Sequence, residues 1–339
     1  MRFNEIIGHA KELALLKGAI NGKRTAHAYL FAGPDGVGKR QTALAFAAGL
    51  NCADYKDDAC GSCVECERAG VGAHPNIMEV WPTEKVSDDV YERAVPPEAG
   101  LIRIDQIREV QSALRRKIDA GSKAVIVDHA DRLMPQAANA FLKTLEEPPD
   151  ASVIILVTSR PAVLPVTVLS RCQRINFRPL RVETVGAHLI ARLGIGPAAA
   201  AIARLAGGSI ARAEALAADG ALERRAGIID RLSRVPDGDA FEAMRFAEEL
   251  ARMDGLAEAL GFIKGWYRDR AVISEGADGL ALASQAAPAS QAAAGVQAGF
   301  DYLWTAYRAV DEAMADVTPP RYMNKQITME AMMVKIAAL

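Results

Sequence analysis

The residues most informative about chemistry lie in the stretch AVIVDHADRL, where a β-branched apolar run ends at Asp128. Such a run is typical of a buried parallel strand. In phosphate-loop ATPases, a carboxylate at the end of this strand holds Mg²⁺. Hydrolytic proteins with the Asp-Glu form of the motif place a glutamate next to orient the attacking water, and this chain has His129 there. The sequence therefore predicts a nucleotide-site strand that lacks the residue needed to activate water.

A glycine-rich loop stands between the apolar run AYLFA and the helical run TALAFAAGL. Strand, loop and helix in this order form a phosphate cradle, in which backbone N–H groups and the helix dipole face the anion. A lysine at the end of the loop adds a point charge to the β- and γ-phosphates. The residues predicted to bind nucleotide are Gly33, Pro34, Asp35, Gly36, Val37, Gly38, Lys39, Asp128 and Thr158.

The loop departs from a hydrolytic phosphate loop directly after its lysine. The hydroxyl residue expected there as a Mg²⁺ ligand is replaced by Arg40, and a cationic side chain repels the metal instead of binding it. Thr42, two residues further on, is expected to point away from the loop. Either the loop is kept for its fold alone, with Arg40 simply solvated, or it still binds nucleotide. In both cases we predict little turnover. Thr158 would sense a γ-phosphate or only cap a loop.

Four cysteines are clustered as C-x7-C-x2-C-x2-C. Four thiolates with such short spacings can close a tetrahedral Zn²⁺ shell, and a closed shell leaves no position open for catalysis. An iron–sulfur cluster is the alternative metal site, and unrelated free cysteines are the alternative without metal. The more distant Cys172 is expected to be a small buried residue. The predicted ligands of a structural zinc ion are Cys52, Cys60, Cys63 and Cys66.

Composition and net charge limit the kinds of partner and the cellular location expected for the chain. The chain has 339 residues, 50% of them hydrophobic, and a net charge of −2, so any contact with nucleic acid must be local. No apolar run approaches the ~18 residues of a membrane span, and the N-terminal segment lacks the apolar core of a signal peptide. We therefore expect a cytoplasmic protein with no membrane partner, whose cysteines are reduced.

The elements that must position the sites follow an α/β pattern over about the first 180 residues. A helix is expected from Asp105 to Ile118, and another begins at Pro135 and stops before two prolines. After this region strand signals fade and Ala/Leu/Arg-rich helical patterns follow. The predicted strands are Ala28–Ala32, Ile77–Val80, Ala124–Val127 and Val153–Val157.

The change from alternating strands and helices to helical patterns alone suggests a division of the chain into three domains. Residues 1–179 form a phosphate-loop domain that carries the cysteine module at about 50–70. Residues 180–218 form a small helical lid domain, and residues 219–339 form a helical collar domain for oligomerisation. The Ala/Ser/Gln/Gly-rich stretch at 283–299 is expected to be a mobile connection within the collar.

The tripeptide Ser170, Arg171, Cys172 follows a strand, a loop and a helical turn. An arginine displayed near a subunit edge reaches a neighbour's γ-phosphate as an arginine finger. The alternative is an ordinary surface arginine, and the tripeptide alone carries little weight. No Ser/His/Asp or Cys/His catalytic arrangement is recognisable in the sequence.

Several stretches together resemble the delta-prime subunits of the bacterial DNA polymerase III clamp loader, members of the AAA+ superfamily. The stretches are IIGHAKELALLKGAI, HAYLFAGPDGVGK, the cysteine cluster, IRIDQIREV, AVIVDHADRLMPQAANAFLKTLEEPP and LPVTVLSRCQRINF. They lie between residue 6 and about residue 177. The hydrolytic gamma and tau subunits share the cysteine module and the SRC arginine, but they keep the hydroxyl and the glutamate that this chain replaces with Arg40 and His129.

The resemblance implies an AAA+ domain, a helical lid and a helical collar. It implies a subunit that completes a ring with gamma/tau and delta subunits, which opens the sliding clamp and places it on primer-template DNA. This chain would bind ATP or ADP weakly or not at all, hold structural Zn²⁺, and offer Arg171 to an adjacent ATPase. The competing interpretations are an active ATPase subunit of the gamma/tau type and, less well supported, an unrelated phosphate-loop kinase.

Overall fold

The computed structural model describes residues 1–87, 90–117, 120–218, 220–235, 239–277, 299–317, 321 and 323–338. The chain divides into two compact units. The first comprises Met1–Thr184 with Ser209–Ala211, and the second comprises Val185–Gly208 with Arg212–Leu339. The domain boundaries expected after residues 179 and 218 stay predictions. The low-complexity stretch at 283–299 lies outside the described residues except for its last residue.

The first unit is built on a parallel sheet that alternates with helices. Its strands are β1 (Ala28–Ala32), β2 (Ile77–Val80), β5 (Lys123–Val127), β6 (Ser152–Thr158) and β7 (Gln173–Asn176). Their order across the sheet is β2-β5-β6-β1-β7, and every pair is parallel. The order brings the carboxyl ends of β1, β5 and β6 together, which is where open α/β sheets bind ligands. The predicted α/β fold class and all four predicted strands are confirmed, with one residue more at the start of β5 and at both ends of β6.

Three strands were not predicted, and all three are largely exposed. The antiparallel pair β3 (Thr83–Ser87) and β4 (Val90–Arg93) forms a separate two-stranded sheet. Strand β7 lies at the edge of the main sheet, and Ile175 is its one buried residue. Because strand prediction depends on buried apolar runs or clean alternation, polar edge strands of this length carry little signal.

Helices cover both faces of the sheet, so the central strands are buried throughout. The helices of this unit are α1 (Ala10–Asn21), α2 (Lys39–Asn51), α3 (Val64–Gly70), α4 (Ile104–Arg115), α5 (Pro135–Glu146) and α6 (Val166–Leu169). On one face Leu16 and Phe46 pack against Phe31. On the other face Phe141 packs with strand residues such as Leu156. This two-sided burial explains why β1, β5 and β6 are continuous apolar runs rather than alternating ones.

Helix α4 confirms the apolar stripe expected for its segment. Ile107, Val110 and Leu114 are all buried, and the helix ends at Arg115, earlier than the predicted end at Ile118. Ile118 lies outside the described residues. Helix α5 begins at Pro135 as expected, since proline is accommodated where helical N–H groups have no partner.

The rest of the described chain is helical. Its helices are α7 (Val182–Leu193), α8 (Ala198–Leu205), α9 (Ile210–Ala218), α10 (Ala221–Ser233), α11 (Ala240–Ala251), α12 (Leu256–Ser274), α13 (Phe300–Val317) and α14 (Lys325–Ala337). The second unit has an apolar interior that includes Phe246, Leu260 and Met329. Among the described helices, none has the length and apolarity that a membrane crossing requires.

Candidate nucleotide, metal and arginine sites

The phosphate loop lies between β1 and α2, as the sequence predicts. Gly36 and Gly38 adopt φ values of 71° and 107°, in the left-handed region that favours glycine. A cleft of about 160 Å³ opens at the carboxyl ends of β5 and β6. It brings together six of the nine predicted nucleotide-binding residues with four others, and its lining consists of Asp35, Gly36, Gly38, Lys39, Arg40, Gln41, Asp128, His129, Val157 and Thr158.

Lys39 is folded back onto the loop that precedes it. Its Nζ donates to the carbonyl oxygens of Gly33 and Pro34, at 2.6 Å each, and lies 3.6 Å from Asp35 Oδ1. The side chain is 5% exposed, and burial lowers the pKa of Lys39 despite the nearby carboxylates. A phosphate group entering the loop would therefore exchange these carbonyl contacts for charged ones.

Neighbouring segments of the first unit hold the same loop from outside. His9 Nε2 lies 2.9 Å from the carbonyl oxygen of Val37. The backbone N–H of Ile210 donates to the carbonyl oxygen of Gly36 at 2.9 Å. A Cβ at Gly36 would lie 2.2 Å from Ser209 Oγ, so this position requires glycine for space as well as for its backbone angle. The loop is thus braced within its own unit.

Arg40 does not point freely into solvent, contrary to one expectation from the sequence. Its Nε and Nη2 each lie 2.7 Å from Glu79 Oε2, and its Nε lies 3.8 Å from Asp128 Oδ2. The side chains of Glu79 and Asp128 are only 16% and 10% exposed. Pairing of β2 with β5 places these carboxylates at the same end of the sheet. The guanidinium therefore lies beside Asp128, at the strand end where phosphate-loop ATPases place a carboxylate that holds Mg²⁺.

Thr158 in the cleft also has a partner within the chain. Thr158 Oγ1 donates to Asp131 Oδ1 at 2.7 Å, and Arg160 Nη2 lies 2.7 Å from Asp131 Oδ2. The Asp131 side chain is only 1% exposed, and sequence reasoning did not single it out. Its only signal is a position three residues after Asp128. Thr42 Oγ1 donates to the Gly38 carbonyl at 2.9 Å, four residues earlier in the chain, and its expected orientation away from the loop stays a prediction.

The four clustered cysteines converge at one place. Their sulfur atoms all lie within 4.8 Å of one another, and Cys60 Sγ is 3.9 Å from Cys66 Sγ. A tetrahedral shell with Zn–S bonds of about 2.3 Å needs sulfur–sulfur separations of about 3.8 Å. Cys52 ends α2, and Cys63 caps the N-terminus of α3. The spacing fits a single ion better than a cluster of several irons, which holds its sulfurs further apart.

Backbone N–H groups donate to the sulfurs of this cluster, which favours the thiolate form. The N–H groups of Cys60 and Cys66 donate to the sulfurs of Cys52 and Cys63, at 3.2 and 3.4 Å. Backbone N–H groups of Ser62 and Cys63 lower the pKa of Cys60 to about 6, whereas burial raises the pKa of Cys66 to about 12. A cation among the sulfurs would stabilise the ionised form of the buried thiol as well.

Two contacts tie the cysteine module to the rest of the unit. Asp58, inside the module, accepts hydrogen bonds from the backbone N–H groups of Phe3 and Asn4, both at 2.9 Å. The buried His74 lies with Nε2 2.8 Å from Glu65 Oε2 on α3. Because Phe3 is itself in the core, the module is coupled to the packing of the whole unit.

Arg171 lies at the surface directly after α6. Its side chain is 33% exposed and pairs with Glu146, with 2.6 Å between Nη2 and Oε1. Cys172, the next residue, packs against the core, and burial raises the pKa of its thiol to about 11. Cys172 therefore anchors this segment to the core, while Arg171 beside it remains partly exposed at the surface. Arg171 is not among the residues that line the cleft at the phosphate loop of its own chain.

Comparison with known proteins agrees with this geometry. The sequence signature of the family described as "DNA polymerase III, delta subunit" matches residues 8–181. The chain is 33% identical over 179 residues to the delta-prime subunit of Bacillus subtilis DNA polymerase III, covering 52% of this chain and 50% of that one. It is 32% identical over 186 residues to the tau subunit of the same organism, covering 54% and 30%. The delta-prime subunit of Pseudomonas aeruginosa is 37% identical over 149 residues, covering 43% and 42%.

A solved gamma subunit-related protein from Thermotoga maritima is 18% identical, with a TM-score of 0.45 over 96% of this chain and 99% of that one. The chain spans half or less of the length of the three curated relatives named above.

The five-stranded parallel sheet, phosphate loop and helical C-terminal region define an AAA+-like phosphate-loop protein. The signature over residues 8–181 identifies it further, and the chain belongs to the DNA polymerase III delta subunit family.

Proposed function

We propose that the chain is a delta-prime-type subunit of the DNA polymerase III clamp loader that does not hydrolyse ATP itself. It assembles with gamma/tau and delta subunits, helps place the sliding clamp on primer-template DNA, and supplies Arg171 to a neighbouring ATPase site. The observation that carries the proposal is the ion pairing of Arg40 with Glu79 and Asp128, at 2.7 and 3.8 Å. The Arg40 guanidinium at this position would repel the Mg²⁺ ion that hydrolysis requires.

Hydrolysis at this site would need two groups that the chain does not supply. Mg²⁺ is held in phosphate-loop enzymes by a hydroxyl after the lysine and a carboxylate on the neighbouring strand. Here Arg40 replaces the hydroxyl and approaches the carboxylate. His129 stands where an activating glutamate is expected, and its backbone N–H donates to Asp128 Oδ1 at 3.1 Å. Lys39 and the glycines still suit a phosphate group, so the loss is specific to metal-assisted attack by water.

The surface around Arg171 supports a role toward a neighbouring subunit. Val163 and Val166, in the same segment, are 60% and 78% exposed. Exposed apolar side chains beside an ordered cation are typical of a surface that another protein covers. Since Arg171 does not line the cleft of its own chain, the phosphate it meets is best supplied by a neighbour.

The second unit supports assembly through its own surface. On α14, Ile327 and Val334 are 64% and 48% exposed and lie seven residues apart, on one face of the helix. Trp304 on α13 is 45% exposed. We propose that these helices form the collar through which the chain joins other clamp-loader subunits.

The cysteine module is proposed to hold one structural Zn²⁺. The four sulfurs leave no position for a substrate when the shell is closed. The module's contacts with Phe3, through Asp58, give the metal a role in the stability of the first unit. No chemical step is assigned to it.

A second candidate is an active ATPase subunit of the gamma/tau type. It is favoured by the complete glycine loop, by Lys39 and Asp128 in place, and by the similar identity to a tau subunit. A steady-state ATPase assay of the isolated chain separates the two candidates. The proposal predicts no turnover above background. Turnover near ~1 s⁻¹, within the ordinary enzyme range, that Lys39→Ala abolishes would favour the active ATPase. Copurification with gamma/tau and delta subunits tests membership of the complex.

A further inference from the structure

The guanidinium of Arg171 is held by acceptors from two different elements. Nη2 donates to Glu146 Oε1 at 2.6 Å, and Nη1 donates to the carbonyl oxygen of Thr167 at 2.8 Å. Glu146 is the last residue of α5, and Thr167 belongs to α6. Nη1 also lies 3.4 Å from Ser170 Oγ. The side chain is therefore ordered before any neighbour arrives.

The two elements that hold the guanidinium are themselves fixed. Leu145, directly before Glu146, is 1% exposed, and Val168, directly after Thr167, is 0% exposed. Both belong to the same apolar core. Core packing therefore anchors the backbone at both places, while the Glu146 side chain itself is 49% exposed.

The contacts leave part of the guanidinium available. Arginine carries five N–H donors in a rigid plane, and the two short contacts and the longer one do not use all of them. The side chain stays 33% exposed. A long side chain that is already held in one orientation loses less rotamer freedom when it binds a phosphate. The ion pair with Glu146 would therefore hold the exposed Arg171 guanidinium in one orientation before it binds a phosphate.

We propose that Glu146 is a positioning residue for Arg171, which it orients toward the γ-phosphate of the adjacent subunit. Glu146 itself does not contact the nucleotide. This inference rests on the proposed role of Arg171 in trans. It assigns to the carboxylate at the end of α5 a part in the hydrolysis that occurs in the neighbour.

The chain offers a matched control at the next position. Glu147 is also exposed, carries the same charge, and forms no ion pair among the residues that the structure describes. Replacing Glu147 changes the net charge and the helix end as replacing Glu146 does, but it leaves the Arg171 contact in place. Comparing the Glu146→Gln and Glu147→Gln variants therefore separates the effect of losing the Arg171 contact from the effect of losing a negative charge.

The experiment reconstitutes the clamp loader with this chain carrying Glu146→Gln, Glu147→Gln or Arg171→Ala, and measures assembly and the clamp- and DNA-stimulated ATPase. We expect Glu146→Gln to lower kcat about two- to five-fold, the range of an exposed ion pair. KM for ATP and assembly should be unchanged, and Glu147→Gln should match the wild type.

Each other result overturns the proposal in an identifiable way. If Arg171→Ala has no effect, the proposed role of Arg171 fails and the positioning role fails with it. If Arg171→Ala lowers the rate while Glu146→Gln behaves like Glu147→Gln, only the positioning role is wrong. A faster Glu146→Gln complex would mean that the carboxylate restrains the arginine. Loss of assembly in Glu146→Gln would give the residue a structural role instead.

Discussion

At the scale of single residues, Arg40 governs the chemistry that the nucleotide cleft can support. A hydroxyl at its position would coordinate Mg²⁺, whereas a guanidinium 3.8 Å from Asp128 competes with the metal for the same carboxylate. Glu79 strengthens the competition because it holds the guanidinium at 2.7 Å. Nucleotide bound here would rely on Lys39 and the loop N–H groups, with Arg40 in place of the metal.

Because Arg40 would occupy Asp128, we predict that nucleotide binding is insensitive to Mg²⁺. Binding of ADP to the isolated chain, measured by calorimetry, should have the same Kd in Mg²⁺ and in EDTA, and Lys39→Ala should weaken it under both conditions. Arg40→Thr restores a hydroxyl and frees Asp128, so Mg²⁺ should then tighten binding about tenfold or more, corresponding to ~1.4 kcal/mol.

Arg40→Thr should still not hydrolyse ATP, because His129 is unchanged. A wild-type chain whose affinity rises strongly with Mg²⁺, or an Arg40→Thr chain that ignores the metal, would show that Arg40 does not compete for Asp128.

At the scale of elements, the cysteine module is a local structure whose order we propose to depend on a bound metal ion. Residues 52–63 have no regular element of their own, and their position is set by the sulfurs, by α3 and by the carboxylate of Asp58. Metal binding of this kind is coupled to folding. Loss of the metal should therefore loosen the module and weaken its hold on Phe3.

We predict one equivalent of zinc per wild-type chain and less than about half an equivalent for Cys63→Ser. Cys63→Ser should also lower Tm by several degrees, since each 1 kcal/mol moves Tm by about 2–4 °C in a unit of this size. Elemental analysis and thermal unfolding measure the two effects. Cys172→Ser is the control and should keep its zinc. Wild-type protein with neither zinc nor iron would rule out the metal site.

Elements differed in how well the sequence predicted them, for reasons visible in their burial. Strand Ala28–Ala32 was located to the residue, since a buried apolar run beside turn residues is distinctive. Strand Ile77–Val80 was also located to the residue, although only Val80 in it is buried. Strand β7, with only Ile175 buried, resembled a loop. The residue types of the cleft were also predictable from the loop motif. The pairing of Arg40 with Glu79 was not, because the partners are 39 residues apart and meet only when β2 pairs with β5.

At the scale of the whole molecule, the first unit holds the proposed nucleotide and arginine sites, and the second presents exposed apolar side chains on its last helices. Ile327 and Val334 share one face of α14. Such residues stabilise a subunit interface but contribute little to the fold of an isolated chain. Assembly and site chemistry should therefore respond to different substitutions.

Ile327→Asp should reduce copurification with other clamp-loader subunits while leaving Tm of the isolated chain within about 1 °C, as expected for an exposed position. Val71→Asp changes a similarly exposed apolar residue, 80% exposed in the first unit, and should assemble normally. If the two variants assemble equally well, α14 is not part of the interface. A large fall in Tm for Ile327→Asp would show that Ile327 stabilises the fold of the isolated chain instead.

We propose that this chain promotes hydrolysis at a neighbour's site without turning over nucleotide at its own. The most direct test compares two variants in one reconstituted clamp loader, with Arg171→Ala removing the arginine and Lys39→Ala removing the chain's own phosphate-binding charge. Arginine fingers contribute roughly 10³–10⁵ in rate at a single site, and one site among several gives a smaller loss for the whole assembly. We expect Arg171→Ala to lower the clamp- and DNA-stimulated ATPase clearly, and Lys39→Ala to leave it unchanged. Full activity with Arg171→Ala, together with a loss in Lys39→Ala, would contradict it.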